Sequence, residues 1–75
     1  MKKVLMKYGF SSDMAMYEGI FFLHLNGRFD EAKDMFNDLP KVEKKKLIKV
    51  FLPNSAWGIS KVAKEEAFNY FFNLL

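Results

Sequence analysis

The sequence predicts an all-α fold, a small bundle of about four helices built on an antiparallel αα-hairpin. One buried helical stripe, with the spacing i, i+3, i+4, i+7, is formed by Ala32, Met35, Phe36 and Leu39. Gly27 before this stripe and Pro40 after it are typical helix stops. Apolar residues repeat at helical spacing elsewhere in the chain too, and no two segments alternate as a pair of strands would.

Length and composition indicate one small domain with more apolar residues than its core requires. A chain of 75 residues is expected to form a single domain, residues 1–75, which buries only about 60–65% of its unfolded surface. Yet 51% of the residues are hydrophobic and nine are Phe, so part of this apolar surface is expected to serve a partner. The absence of cysteine excludes disulfides and thiolate metal sites and suits a reducing compartment.

Charge and hydropathy favour a cytoplasmic protein that does not enter membranes. The net charge of +3 is too small to indicate nucleic-acid binding by itself. The basic amino terminus resembles the start of a signal peptide, but its apolar run is interrupted at Lys7 and Gly9 and no cleavage site follows. The longest apolar run, residues 20–23, is far too short to span a bilayer.

The first two helices are expected at residues 2–8 and 13–26. Gly9 is placed to end the first, with Phe10 packing back on Leu5. The alternative for this segment is a strand, because every second residue from Val4 to Phe10 is apolar, but no partner strand is available. Ser11 or Ser12 is expected to cap the second helix.

Residues 13–26 are expected to form the central helix of the bundle, because apolar side chains cover most of its circumference. These side chains are Met14, Met16, Tyr17, Ile20, Phe21, Leu23 and Leu25. Gly19 is expected to let a neighbour approach closely. His24 lies in the same apolar arc, which predicts a core or interface imidazole bonded to a backbone carbonyl.

Three more helices are expected at residues 30–39, 41–52 and 61–75. Pro40 is expected at the first position of the second of these, and Pro53 at its end. Ser60 is expected to cap the last helix. The buried stripes are expected to be Leu47, Ile48, Phe51 and Leu52 in one helix and Ala63, Ala67, Tyr70, Phe71 and Leu74 in the other.

The segment Tyr17 to Pro40 resembles one repeat of the tetratricopeptide or pentatricopeptide type. The residues that fall near the small, aromatic and proline positions of that family are Tyr17, Gly27, Ala32, Phe36 and Pro40. The pattern of Glu31, Ala32, Phe36 and Leu39 recurs 35 residues later as Glu66, Ala67, Phe71 and Leu74, although Val62 stands where Gly27 would recur. The resemblance covers about a third of the chain and implies a surface of stacked hairpins that binds a partner.

The sequence predicts no catalytic, cofactor-binding or metal site. His24 is the sole histidine, and no carboxylate is spaced to orient it as a general base. Asp30, Asp34 and Asp38 share a helix face that could hold a divalent cation weakly, but the oxygen-ligand loop of a calcium site is absent. A glycine-rich phosphate loop, a nucleophile elbow and zinc spacing are also missing. A protein that is not an enzyme is therefore expected.

The predicted function is a small protein-interaction module: an accessory, adaptor or inhibitor protein that occludes or bridges a larger partner. Phe68, Phe72 and Leu75 widen the apolar face of the last helix beyond its core stripe. Trp57 in the preceding loop either covers the helix ends as part of the core or is exposed beside these residues as a binding hot spot. The same surface could form a homodimer. Small size and a Lys- and Phe-rich composition would suit an accessory protein of a bacterium, phage or mobile element.

The alternative function is a small basic regulator that binds DNA or RNA. Lys41, Lys45 and Lys49 recur at i, i+4, i+8 along one helix, with Lys44 and Lys46 beside them, and could contact successive phosphates. The stripe lacks the Arg, Asn or Gln that base readout usually uses. The other interpretation is a solvated face balanced by the neighbouring acidic helix.

Overall fold

The computed structural model describes residues 1–54 and 60–75, and this part of the chain contains helices and no strand. The helices are α1 (Lys2–Tyr8), α2 (Asp13–Leu25), α3 (Phe29–Asp38), α4 and α5 (Lys61–Asn73). The α4 helix consists of an α-helical start (Lys41–Lys46), a π-helical segment (Leu47–Phe51) and a final short turn (Leu52–Asn54). The predicted all-α bundle is confirmed, with five helices in the described residues rather than about four.

The αα-hairpin of α2 and α3 forms where the local signals place it. The Ser12 hydroxyl caps α2 by accepting the Ala15 N–H at 3.1 Å. Gly27 has a φ of 79°, and the Arg28 N–H bonds to the Leu23 carbonyl at 2.9 Å. This is a Schellman end, which needs a left-handed residue and so favours glycine. Gly9 ends α1 in the same way, and the predicted helix at residues 2–8 is confirmed over the strand alternative.

The core lies between α2, α3, α4 and α5. Its buried hydrophobic residues are Met16, Tyr17, Ile20, Phe21, Ala32, Met35, Phe36, Leu39, Leu47, Ile48, Phe51, Leu52, Ala67 and Phe71. The predicted stripes of α3 and α4 are therefore buried throughout. In α5 only Ala67 and Phe71 are fully buried, while Tyr70 and Leu74 pack against the edge of the core.

The end of α4 differs from the prediction that Pro53 would stop the helix after Leu52. The helix continues to Asn54, and the Leu52 N–H bonds to the Leu47 carbonyl, five residues back. A proline ring clashes with the carbonyl four residues earlier in a regular α-helix, and a widened π turn relieves this clash. The Asn54 side-chain amide then donates to the Val50 carbonyl at 2.7 Å.

Other boundaries move by one or two residues. Leu39 is extended (φ −70°, ψ 141°) because the residue before a proline avoids the helical region, so α3 ends at Asp38. Pro40 precedes the first residue of α4 instead of occupying it. The helix α2 ends at Leu25 and α5 at Asn73, one and two residues earlier than predicted.

The helix α2 is only partly the enclosed central helix that was predicted. It packs against α3, α4 and α5, but Met14 is 51% exposed and Phe22 is also exposed. Gly19 provides the expected close approach, because a Cβ placed there would lie 2.6 Å from the Phe10 ring.

The helix α1 is held to α3 by side chains near its end. The Lys7 ammonium lies 2.8 Å from the Asp38 carboxylate, and the Tyr8 hydroxyl donates to the same oxygen. Within residues 1–54 and 60–75, no helix is long and apolar enough to cross a membrane.

Candidate interaction site

The carboxyl-terminal helix α5 carries Phe68 and Phe72, two of the residues predicted to bind a partner. The Ser60 hydroxyl accepts the Ala63 N–H at 3.1 Å and caps the helix as predicted. Ala67 and Phe71 then face the core, and the Phe71 ring lies 5.0 Å from that of Phe36 in α3. This packing fixes the rotation of α5 about its axis. Phe68 and Phe72, which directly follow Ala67 and Phe71 in the sequence, are thereby turned toward the edge of the bundle.

Phe68, Phe72 and Leu75, the apolar residues at and after the end of α5 that lie outside its core stripe, are here called the α5 shoulder. The Phe68 and Phe72 rings stack with centroids 5.9 Å apart and an interplanar angle of 13°. Phe68 is half-buried against the core, whereas Phe72 and Leu75 are 50% and 46% exposed. The structure thus brings Phe68 and Phe72 together at the surface. Trp57, the fourth predicted interaction residue, lies outside the described residues.

A surface cavity of about 330 Å³ adjoins the α5 shoulder through Phe68. It lies between the end of α4 and the start of α5 and is lined by Leu52, Pro53, Lys61, Lys64, Glu65 and Phe68. Its wall combines apolar side chains with charged groups at the rim, a composition that ligand pockets share.

The α4 helix contains five lysines and one carboxylate, Glu43, and the carboxylate faces inward. Glu43 is buried and accepts a hydrogen bond from the Tyr17 hydroxyl of α2. Burial, together with this bond to Glu43, raises the pKa of Tyr17 well above its ordinary value. Lys41 and Lys45, by contrast, are exposed.

The remaining α4 lysines differ in their surroundings. Lys49 is exposed, Lys44 is half-buried with its ammonium 5.7 Å from the centre of the Phe36 ring, and Lys46 lies 3.6 Å from Glu43. Lys44 is therefore partly committed to the fold, since an ammonium over an aromatic face is attracted to it. The other predicted nucleic-acid residues, Lys41, Lys45 and Lys49, are exposed and form no ion pair within the described part of the chain.

The acidic helix α3 does not pair with these lysines in the described part of the chain. Asp38 bonds to Lys7 and Tyr8 of α1, and these hydrogen bonds lower the pKa of its carboxyl group. Glu31 forms a two-point pair with Arg28, with N–O distances of 2.8 Å. The two charged faces remain separate. Among residues 1–54 and 60–75, no cluster of His, Asp and Glu could hold a metal ion.

His24 lies in an aromatic box. The rings of Phe29, Tyr70 and Phe71 surround it at centroid distances of 4.8–5.0 Å. Its Nδ1 is buried and has no hydrogen-bond partner among the described residues, so the predicted bond to a backbone carbonyl is not formed at this nitrogen. Burial lowers the pKa of His24, and the charge of Glu66 opposes this shift.

Sequence reasoning missed a second apolar surface, between α2 and α4. A groove of about 540 Å³ is lined by Ser12, Asp13, Met14, Tyr17, Lys46, Val50 and Phe51. Met14 and Val50 are half-exposed or more on its walls. A signal was available: Met14, Glu18 and Phe22 recur at i, i+4, i+8, and a glutamate within such a row indicates a face turned to solvent.

Comparisons with known proteins find no matching family, no similar curated protein and no similar solved structure. The resemblance of residues 17–40 to a tetratricopeptide-type repeat therefore rests on the α2–α3 hairpin alone, and the functional argument rests on the surfaces of this chain.

Proposed function

We propose that this protein is a small, non-enzymatic interaction module that binds a larger protein through the α5 shoulder. The observation that carries the proposal is the pair of stacked rings, Phe68 and Phe72, at the edge of the bundle, with Phe72 and Leu75 about half exposed. Aromatic residues are enriched among the few side chains that dominate binding energy at protein interfaces.

The energetic argument is the cost of leaving these side chains in water. Each square ångström of apolar surface removed from water contributes about 25 cal/mol, so covering two half-exposed large side chains contributes roughly 2–4 kcal/mol. Phe68 is already held against the core and stacked on Phe72, so little side-chain freedom remains to be lost on binding. A preordered aromatic pair is an efficient anchor for a partner.

The mechanism would be occlusion or bridging. A partner that covers Phe72 would also reach the cavity beside Phe68, whose rim carries Lys61, Lys64 and Glu65. Charges at a rim contribute more to orientation and association rate than to affinity. The chemistry required of the chain is therefore limited to surface complementarity, in agreement with the absence of a catalytic constellation in its sequence.

The test replaces the two exposed members of the shoulder by aspartate. Phe72→Asp with Leu75→Asp should leave the helical circular dichroism unchanged and abolish cross-linking to the partner in extracts of the source cell. Val62→Asp, which changes an exposed apolar residue near the other end of α5, is the control and should retain the partner. If the protein binds a second copy instead, sedimentation will show that the double variant has lost self-association. A folded double variant that keeps every association would refute the proposal.

Nucleic-acid binding is the second candidate, favoured by the exposure of Lys41, Lys45 and Lys49 and by the inward position of Glu43. A polyanion would bind these lysines with an affinity that falls steeply with salt. Changing all three to glutamate should remove such binding to duplex DNA or RNA and leave the fold intact. Sub-micromolar binding by the native protein at physiological salt would favour this candidate over the first.

A further inference from the structure

We propose that the groove between α2 and α4 is a second docking site, and that it binds an amphipathic segment with acidic residues beside its apolar face. The proposal rests on the proposed function in one respect, that the chain binds proteins, but it concerns a different surface from the α5 shoulder. Two observations point to this occupant: the apolar walls of the groove and the excess of positive charge along one of them.

The groove has an apolar wall on each side. Met14 of α2 and Val50 of α4 both line it, with exposures of 51% and 56%, and Tyr17 and Phe51 lie between them as buried residues. The volume of about 540 Å³ is sufficient for several side chains of a bound segment. A groove between two helices is the usual acceptor of one face of an amphipathic helix, whose apolar residues at i, i+3, i+4 and i+7 enter as anchors.

The π-helical segment of α4 provides the wall on that side. Residues Leu47–Phe51 are wound more widely than an α-helix, and Val50 and Phe51 at the end of this segment line the groove. The Asn54 amide bonds to the Val50 carbonyl and holds this turn in place. Val50 is therefore presented on ordered backbone, so little order has to be gained when a partner binds.

The charge on the α4 side selects an acidic partner. Lys46 lines the groove, and α4 as a whole carries four further lysines against a single carboxylate, Glu43. Glu43 is turned inward to Tyr17 and forms an ion pair of 3.6 Å with Lys46, so it offsets part of the charge of this one lysine. Asp13 is the one carboxylate in the lining, at the start of α2. The net field along the α4 side is positive and would attract carboxylates.

A peptide-display selection tests the proposal even when the natural partner is unidentified. A library of random peptides of about 15 residues, roughly four helical turns, is selected against the native protein, and the most enriched peptide is synthesised with a fluorescent label. We expect the enriched peptides to combine apolar residues at helical spacing with Asp and Glu. Their binding should weaken at high salt, because exposed charge pairs are screened.

Variants then locate the site. Val50→Asp, and Lys46→Glu together with Lys49→Glu, should each weaken binding of the labelled peptide by about tenfold or more, which corresponds to about 1.4 kcal/mol. Val62→Asp on α5 is the matched control and should change affinity less than about twofold, because Val62 has a similar exposure and lies outside the groove. Circular dichroism of each variant checks that the helices persist.

Several results would overturn the proposal. One is failure to enrich any peptide, and another is a peptide whose binding is indifferent to Val50→Asp in a folded variant. Loss of binding on Phe72→Asp alone would assign the peptide to the α5 shoulder. This result would support the proposed function and refute the docking site in the groove. A labelled single-stranded oligonucleotide that binds more tightly than any peptide, and resists Val50→Asp, would identify the lysines as a polyanion site instead.

Discussion

The Tyr17 hydroxyl donates a hydrogen bond to the Glu43 carboxylate inside the core, and this contact joins α2 to α4 across 26 residues of sequence. A carboxylate buried without a donor is costly, so the pair fixes the direction in which Glu43 points. It also leaves the outside of α4 to lysines. One buried bond thus shapes both the core and the charge of the surface.

Tyr17→Phe should destabilise the protein by about 1–3 kcal/mol, because it leaves the buried Glu43 carboxylate without its hydroxyl donor. Urea denaturation at neutral pH measures the loss. Tyr17→Phe combined with Glu43→Leu, which removes both polar groups, should recover much of it. If the single variant loses less than about 0.5 kcal/mol, water or another group must solvate Glu43 in place of Tyr17.

The same bond predicts an effect at alkaline pH. The pKa of Tyr17 is raised from its ordinary value of 10.0, so the folded state retains this proton more tightly than the unfolded state. The corresponding stability is complete below pH 10 and is lost as the pH rises above it. The free energy of unfolding, measured between neutral pH and about pH 11, should therefore decline more steeply for the native protein than for Tyr17→Phe. Parallel declines would mean that Tyr17 ionises as readily in the folded state as in the unfolded state.

Phe36→Ala should cost about 3–5 kcal/mol, because Phe36 is fully buried and packs at 5.0 Å on Phe71. Such a loss would unfold much of a marginally stable domain. Phe72→Ala is the matched control: the same residue type is half exposed, and about 1 kcal/mol or less is expected. Equal losses from the two variants would contradict the rotation of α5 described above.

The contact between Phe10 and Gly19 can be tested with a double-mutant cycle. Alanine at position 19 would improve helix propensity by about 1 kcal/mol, but its Cβ would lie 2.6 Å from the Phe10 ring. In the native background the displaced ring should cancel this gain. In a Phe10→Ala background Gly19→Ala should stabilise by up to about 1 kcal/mol. Equal effects in the two backgrounds would show that the ring does not rest on Gly19 in solution.

The α2–α3 hairpin was predictable because its signals are local. The groove between α2 and α4 was not predictable, because it depends on packing between residues that are distant in the sequence. Ser12 caps the start of α2 and Gly27 ends it through bonds to residues only a few positions away, so the local sequence is sufficient to place this helix and its ends. Met14 and Met16 are the same residue type two positions apart, yet only Met16 is buried. The row of Met14, Glu18 and Phe22 indicates which of the two faces solvent, but the groove at Met14 exists only because α4 lies beside α2, which no pattern within α2 encodes.

Two further features lay beyond sequence reasoning for the same kind of reason. The π-helical segment arises because α4 accommodates Pro53 in its last turn while Phe51 and Leu52 remain in the core. The bond between Tyr17 and Glu43 joins residues on different helices, so periodicity within either helix cannot reveal it. The Phe68–Phe72 pair could be predicted, because both residues lie on one helix, four positions apart.

His24 should make stability fall as the pH drops below neutrality. Its folded-state pKa is lowered by burial among Phe29, Tyr70 and Phe71, so its contribution is complete above the ordinary value of 6.5 and is lost as the pH falls toward the folded value. The slope should approach at most about 1.4 kcal/mol per pH unit. His24 is the only histidine, and carboxylates ordinarily titrate well below this window, so the slope between about pH 5.5 and 7 can be assigned to it.

Denaturation of the native protein and of His24→Leu across this range provides the measurement. The variant removes the titrating group and keeps an apolar side chain within the aromatic box, so its stability should be nearly independent of pH there. Glu66→Gln is the second arm: without the charge that opposes the shift, the native slope should extend to lower pH. A native protein whose stability is flat from pH 7 to 5.5 would mean that His24 accepts its proton without leaving the box, stabilised by the faces of the surrounding rings.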